Sequence, residues 1–229
     1  MDKTGKIIRI VAIILFGMSA AMNLLGGVGT TCVAFSNNRG YRLAFIELKD
    51  YRWLYQIFVV TTILIGLAGI WGLIKLVRGG KKVYRNSLLI LFLASIITGI
   101  HFAASYILRG GEAAPANVVF LINLLTLIVF LLFLVPGIRS KVDFSSPGGK
   151  NETSAAGGVA AIMAGALTLS VFHWAGPSHT FFQQNWTYVF YVPLVVVGTS
   201  LVLWGMVLIG KVVRDIFVPP VKTPSLETA

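Results

Sequence analysis

WLYQIFVVTTILIGLAGIWGLIKLV, residues 53–77, decides how the rest of the chain is read. It contains no Asp or Glu, and its one charge, Lys75, stands near its end. A helix needs about 20 mostly apolar residues to cross the ~30 Å hydrocarbon core of a bilayer. Hydrocarbon supplies no hydrogen bonds, so a spanning segment must satisfy its own amides by coiling. Trp53, Tyr55 and Trp71 sit near the two ends of the run, where aromatic side chains mark the membrane interfaces.

Five further runs qualify on the same grounds: Ile7–Val28, Ser87–Leu108, Ala116–Pro136, Ala156–Trp174 and Thr187–Ile209. The expected fold is therefore all-α, a polytopic transmembrane helical bundle with six spanning helices. Composition agrees. The chain is 56% hydrophobic and 12% charged, and its mean hydropathy is +0.84. A soluble domain carries about twice that charged fraction. The net charge of +11 does not indicate nucleic-acid binding, because the basic residues flank apolar runs and do not cluster on a soluble face. The single cysteine, Cys32, can build neither an intramolecular disulfide nor a thiolate metal site alone. The long first run, followed by more spans, is expected to be a retained helix and not a cleaved signal peptide.

Lys and Arg orient the bundle. With the N-terminus inside, the inner ends carry Lys3, Lys6, Arg9, Lys75, Arg78, Lys81, Lys82, Arg85, Arg139, Lys141, Lys150, Lys211, Arg214 and Lys222. The outer loops carry Arg39, Arg42, Lys49, Arg52 and Arg109, so the bias is 14 to 5 in favour of cytoplasmic termini. The expected organisation is a four-helix transmembrane unit over 1–138 with an outer-face loop at 30–52, then a polar cytoplasmic linker at 139–155. A two-helix transmembrane unit over 156–215 and a cytoplasmic tail at 216–229 follow. In the outer loop, Tyr41, Ala44, Phe45 and Leu48 follow helical spacing, which fits either a short amphipathic helix on the interface or a folded loop. The glycines of Gly26-Gly-Val-Gly29 are expected to end the first helix. Trp53-x-Tyr55 and Trp71-Gly72 recur as Trp186-x-Tyr188 and Trp204-Gly205, which fits a parallel duplication or interface aromatics alone.

Within the spans the informative groups are polar and uncharged. On the third helix Ala94, Thr98, His101 and Ser105 recur at helical spacing, ending at Arg109, and this seam should face protein or water. A tight hairpin about Glu112 would bring His101 opposite Asn123 on the fourth helix. Asn23, Thr98, His101, Ser105, Asn123 and His173 are the candidate residues of a small polar pocket toward the outer face. Hydrogen bonds between helices are the plainer account of them. No metal site and no catalytic constellation is recognised. A haem held by His101 and His173 is the one cofactor that the histidines raise, and paired histidines at regular spacing are lacking. His179 lies in the loop beyond. Gly157, Ala161 and Gly165 follow four-residue spacing, a face suited to close packing inside the bundle or against a membrane partner.

AMNLLGGVGTTCVAF (21–35), WLYQIFV (53–59), LTLIVFLL (125–132) and Pro136-Gly-Ile138 resemble a group of uncharacterised bacterial multi-pass membrane proteins, over roughly residues 1–140. The resemblance implies a bacterial plasma (inner) membrane and brings no activity or catalytic residue with it. The expected function is that of a non-enzymatic accessory subunit or binding module. A channel or transporter component and a haem- or quinone-linked redox protein are the alternatives. The absence of any intramembrane carboxylate weakens ion-coupled transport.

Overall fold

The computed structural model describes residues 3–35, 37, 45–111, 113, 116–174, 180–181 and 184–217. Tyr41, Arg42, Ala44, Glu112, His179 and the tail from residue 218 lie outside them. Six long helices occur among the described residues: α1 (Lys3–Phe35), α2 (Arg52–Arg78), α3 (Val83–Leu108), α4 (Ala116–Leu132), α5 (Lys150–Trp174) and α6 (Tyr191–Phe217). The class is all-α. The strands among the described residues are one antiparallel pair of two residues each, Thr180–Phe181 with Gln184–Asn185. Five helices are long and apolar enough to cross a membrane, and α4, with 17 residues, is shorter. At 1.5 Å per residue it extends about 26 Å.

Successive helices alternate in direction. One end of the bundle gathers the start of α1, the end of α2, the start of α3 and the end of α4, through Ala12, Phe16, Leu76, Val83, Phe130 and Phe144. The start of α5 and the end of α6 reach the same end, where Ala155 and Val212 pack on Ile10. Most of the described Lys and Arg residues lie here, so it is called the basic end. At the opposite end Ala34, Leu48, Tyr55 and Phe58 form a second apolar cluster.

Glycine sets how closely the helices approach. A Cβ at Gly66 would lie 2.6 Å from Leu24, and one at Gly69 would lie 2.7 Å from Ala20, so α1 and α2 touch backbone to backbone. The α5–α6 contact is reciprocal. A Cβ at Gly165 would meet the Gly198 carbonyl at 2.5 Å, and one at Gly205 would meet the Gly158 carbonyl at 2.5 Å. Lipid tails are as apolar as Leu, so van der Waals fit of this kind must hold helices together in a bilayer.

Several boundaries differ from the sequence expectation. α1 does not end at Val28. It continues through the Gly-rich stretch to Phe35, because Gly26 and Gly27 receive Val119 and Ile63, and Thr30 and Thr31 donate to the carbonyls of Gly26 and Gly27. α3 starts at Val83 and not at Ser87. α4 stops at Leu132, where Phe133, Leu134 and Val135 turn with bonds three residues back and Pro136 opens a separate helical turn to Arg139. The last span is interrupted: Trp186–Val189 is one turn, and α6 begins at Tyr191 and runs past Ile209 to Phe217. In the outer loop the described part is a 3-10 helix, Ile46–Tyr51, that leads directly into α2 and buries Leu48 in the bundle.

The segment 139–155 is not a linker throughout. Lys150–Ala155 is the first part of α5, and Phe144 is buried against Tyr84, Phe130 and Phe133. The tie is Arg9. Its side chain is 1% exposed, and its guanidinium donates to the carbonyls of Leu76 (3.0 Å), Asp143 (3.0 Å), Ser146 (2.8 Å) and Val77 (3.4 Å). Leu76 and Val77 close α2, whose last carbonyls have no partner within the helix and carry the negative end of its dipole. Gly148 N–H donates to the Val77 carbonyl (2.6 Å) and Gly80 N–H to the Phe144 carbonyl (3.3 Å). Gly79, at φ +78°, presses against the backbone of Ser146 and Pro147, where no Cβ would fit. The four-helix and two-helix units are therefore joined by a packed segment.

Two outcomes follow at the basic end. Arg9→Ala leaves at least three carbonyls without their donor, each worth about 1–3 kcal/mol when buried. The variant should melt at lower temperature in detergent and be cut by trypsin first at Arg139, Lys141 or Lys150. Wild-type melting with an unchanged digest would remove the role given to Arg9. Asp143 is exposed, and hydrogen bonds from Ser145 and Ser146, aided by the Arg9 charge, lower its pKa from 3.8 to about 2. A carboxyl with a lowered folded value stabilises fully above its unfolded value and loses that contribution as pH falls through the folded one. The melting temperature should therefore lose an increment between pH 3.8 and about 2 that Asp143→Asn does not show.

Candidate functional site

The polar residues of α1, α3 and α4 meet in the middle of the bundle. Asn23 and Asn123 form a reciprocal amide pair: Asn23 Nδ2 donates to Asn123 Oδ1 (2.8 Å), and Asn123 Nδ2 donates to Asn23 Oδ1 (3.2 Å). Ser19 Oγ also donates to Asn123 Oδ1 (2.6 Å), and Asn123 Nδ2 donates to Thr98 Oγ1 (3.1 Å). Asn23 Nδ2 reaches the Ser19 carbonyl (2.7 Å), and Thr98 donates to the Ala94 carbonyl (2.6 Å). Both amides use both kinds of group on each other, and both are essentially inaccessible. Such a closed network in low dielectric ties helices together and fixes their register.

His101 does not face Asn123 as the hairpin count predicts. Asn123 meets Thr98, three residues earlier on α3 and about one helical turn deeper. His101 instead stacks on Phe58 (centroids 4.4 Å apart, 21° between planes) and meets the edge of Tyr55 (5.6 Å). Tyr55 and Ser105 share a hydrogen bond of 3.0 Å between their hydroxyls. Thus Asn23, Thr98 and Asn123 form one cluster, and His101 and Ser105 form an adjoining one against α2. His173 joins neither. It is exposed at the far end of α5 and does not line the cavity beside His101.

That cavity lies among Gly26, Thr30, Thr62, Thr98, His101, Ala116 and Val119. Its volume is about 10 Å³, room for about one water and not for a substrate or a haem. The Thr62 hydroxyl lines it without a partner among the described residues. No group of three or more His, Cys, Asp or Glu side chains suited to a metal occurs among the described residues. The chemistry available here is hydrogen bonding and stacking between helices.

The sequence reading missed four participants. Ser19 stands four residues before Asn23 on one helix face, a signal that was legible. Tyr55 reads in the sequence as an interface aromatic, and Phe58 and Thr62 carry no distinguishing signal within an otherwise apolar run. Of the expected packing face of α5, Gly165 meets Gly198 and Val202 of α6, whereas Gly157 is exposed and its neighbour Gly158 makes the close contact with Gly205. No family model, curated protein or solved structure matches this chain.

A double-mutant cycle separates the two clusters. Asn23→Ala with Asn123→Ala should show a coupling of about 0.5–3 kcal/mol, as for residues in one network. His101→Ala with Asn123→Ala should be additive within about 0.5 kcal/mol. The reverse pattern would restore the direct His101–Asn123 contact.

Proposed function

We propose that this chain is a non-enzymatic, multi-pass protein of a bacterial inner membrane, crossing it six times with both termini in the cytoplasm, and that it serves as an accessory subunit. The observation that carries the reading is the closed Asn23–Asn123 network beside a one-water cavity. Ser19, Asn23, Thr98 and Asn123 are engaged with one another, and the cavity beside them offers the Thr62 hydroxyl to no more than about one water. The buried core rests on α1–α4, whereas α6 turns Val192, Leu203, Trp204, Met206 and Val207 outward, each more than half exposed. A surface of this kind suits lipid or another membrane helix. The sixth crossing is supported by α4, whose apolar run extends through Phe133, Leu134 and Val135.

Reporter fusions test this topology. A fluorescent protein that folds only in the cytoplasm should be bright after residues 80, 145 and 229. A phosphatase active only outside should work after residues 38, 112 and 182. Phosphatase activity at 229 would refute the six-crossing arrangement.

A further inference from the structure

The basic end carries more positive charge than the chain neutralises. Three acidic residues are described there: two are engaged by a hydrogen bond or an ion pair, and the third is buried. Asp143 accepts from the amide and hydroxyl of Ser145 (2.8 and 2.6 Å). Glu152 is buried at the start of α5, beside the Gly148 segment that Arg9 holds. Asp215 pairs with its neighbour Arg214 at 3.3 Å. Arg78, Lys81, Lys82, Arg85, Arg139 and Lys141 are all exposed, and none forms an ion pair among the described residues.

The fold brings these six to one corner. Gly80 N–H bonds to the Phe144 carbonyl, so the α2–α3 turn lies against the segment that follows Arg139 and Lys141. Tyr84, next to Arg85, stacks on Phe144 (5.4 Å) and donates to the Phe130 carbonyl. Below the corner the surface changes character at once: Leu131, Leu132, Leu134 and Val135 at the end of α4, and Leu89 on α3, are exposed and apolar. A dense positive patch bordering a bare apolar wall matches a molecule with an anionic head and hydrocarbon tails.

We propose that the corner between the α2–α3 turn and residues 139–141 is a binding site for an anionic phospholipid. Its phosphate engages Arg85, Arg139 and Lys141, with Arg78, Lys81 and Lys82 around it, and its acyl chains lie along Leu134 and Val135. Arginine suits the phosphate by its paired donors, lysine as a point charge. Near an anionic bilayer surface each basic residue contributes about 1 kcal/mol, roughly fivefold in association. The site requires only that the helices be embedded in lipid, so it stands or falls independently of which side the termini occupy.

The test uses full-length protein in bilayers of phosphatidylcholine containing trace spin-labelled lipid. Wild type should hold spin-labelled phosphatidylglycerol several-fold more strongly than spin-labelled phosphatidylcholine. In the R85Q/R139Q/K141Q variant that preference should fall to near unity, while K211Q/R214Q, at the end of α6, should keep it. If the triple variant folds poorly, R139Q and K141Q tested singly should each lower the preference in part. A preference unchanged by these substitutions, or one lost instead with K211Q/R214Q, would overturn the assignment. Equal retention of both lipids by wild type would do the same.

Discussion

A guanidinium buried in an apolar bundle is tolerable only if its donors are met, because an unpaired buried charge is far more costly than any single contact that could replace it. Arg9 meets that condition at Nη1 and Nη2 with carbonyls from two separate segments, the end of α2 and residues 143–146, while its Nε has no partner among the described residues. The helix end needs donors, and the cation needs acceptors, so each removes the other's penalty. The consequences extend beyond the local bonds. Anchoring residues 143–148 places Phe144 in the aromatic stack with Tyr84 and Phe130, and starts α5 beside α1. α6 then follows α5 through their shared glycine contacts.

Away from that end, the helices are held by two devices with no contribution from water exclusion. Where glycines face each other, backbones approach until carbonyls touch the neighbouring chain, as at Gly158 with Gly205 and Gly165 with Gly198. Where amides face each other, the Asn23–Asn123 pair binds α1 to α4, and Thr98 brings in α3. Both devices favour closeness, which is why the space beside His101 is the size of one water. An interior organised in this way is suited to holding its shape and presenting a surface.

The existence of the helices was legible because apolar runs of spanning length admit no other backbone solution in lipid. Their ends were not, since hydropathy does not register side-chain contacts: the glycines of α1 read as a terminus, yet Val119 and Ile63 cover them. Arg9 was counted as one of many flanking charges. Nothing local to it shows that the chain 130 residues onward returns to supply acceptors. The membership of the polar cluster was largely readable from the spacing on α3, but its pairing was not, since counting residues from a hairpin midpoint does not fix the depth at which two helices meet, and Asn123 pairs with Thr98. On α5 the run of Gly and Ala offers several small-residue faces. The seven-residue separation of Gly198 and Gly205 on α6 was the signal that selects Gly158 and Gly165.

The most direct test of this account is hydrogen–deuterium exchange on the wild-type protein in detergent, read at Gly80 and over residues 140–149. If Arg9 anchors the segment, the amides of Gly80 and Gly148 should exchange as slowly as the neighbouring ends of α2 and α3, and slow exchange should extend into the start of α5. Exchange of the whole segment at the rate of an unstructured peptide would show that the two parts of the chain are joined by a free tether, and the account would fail.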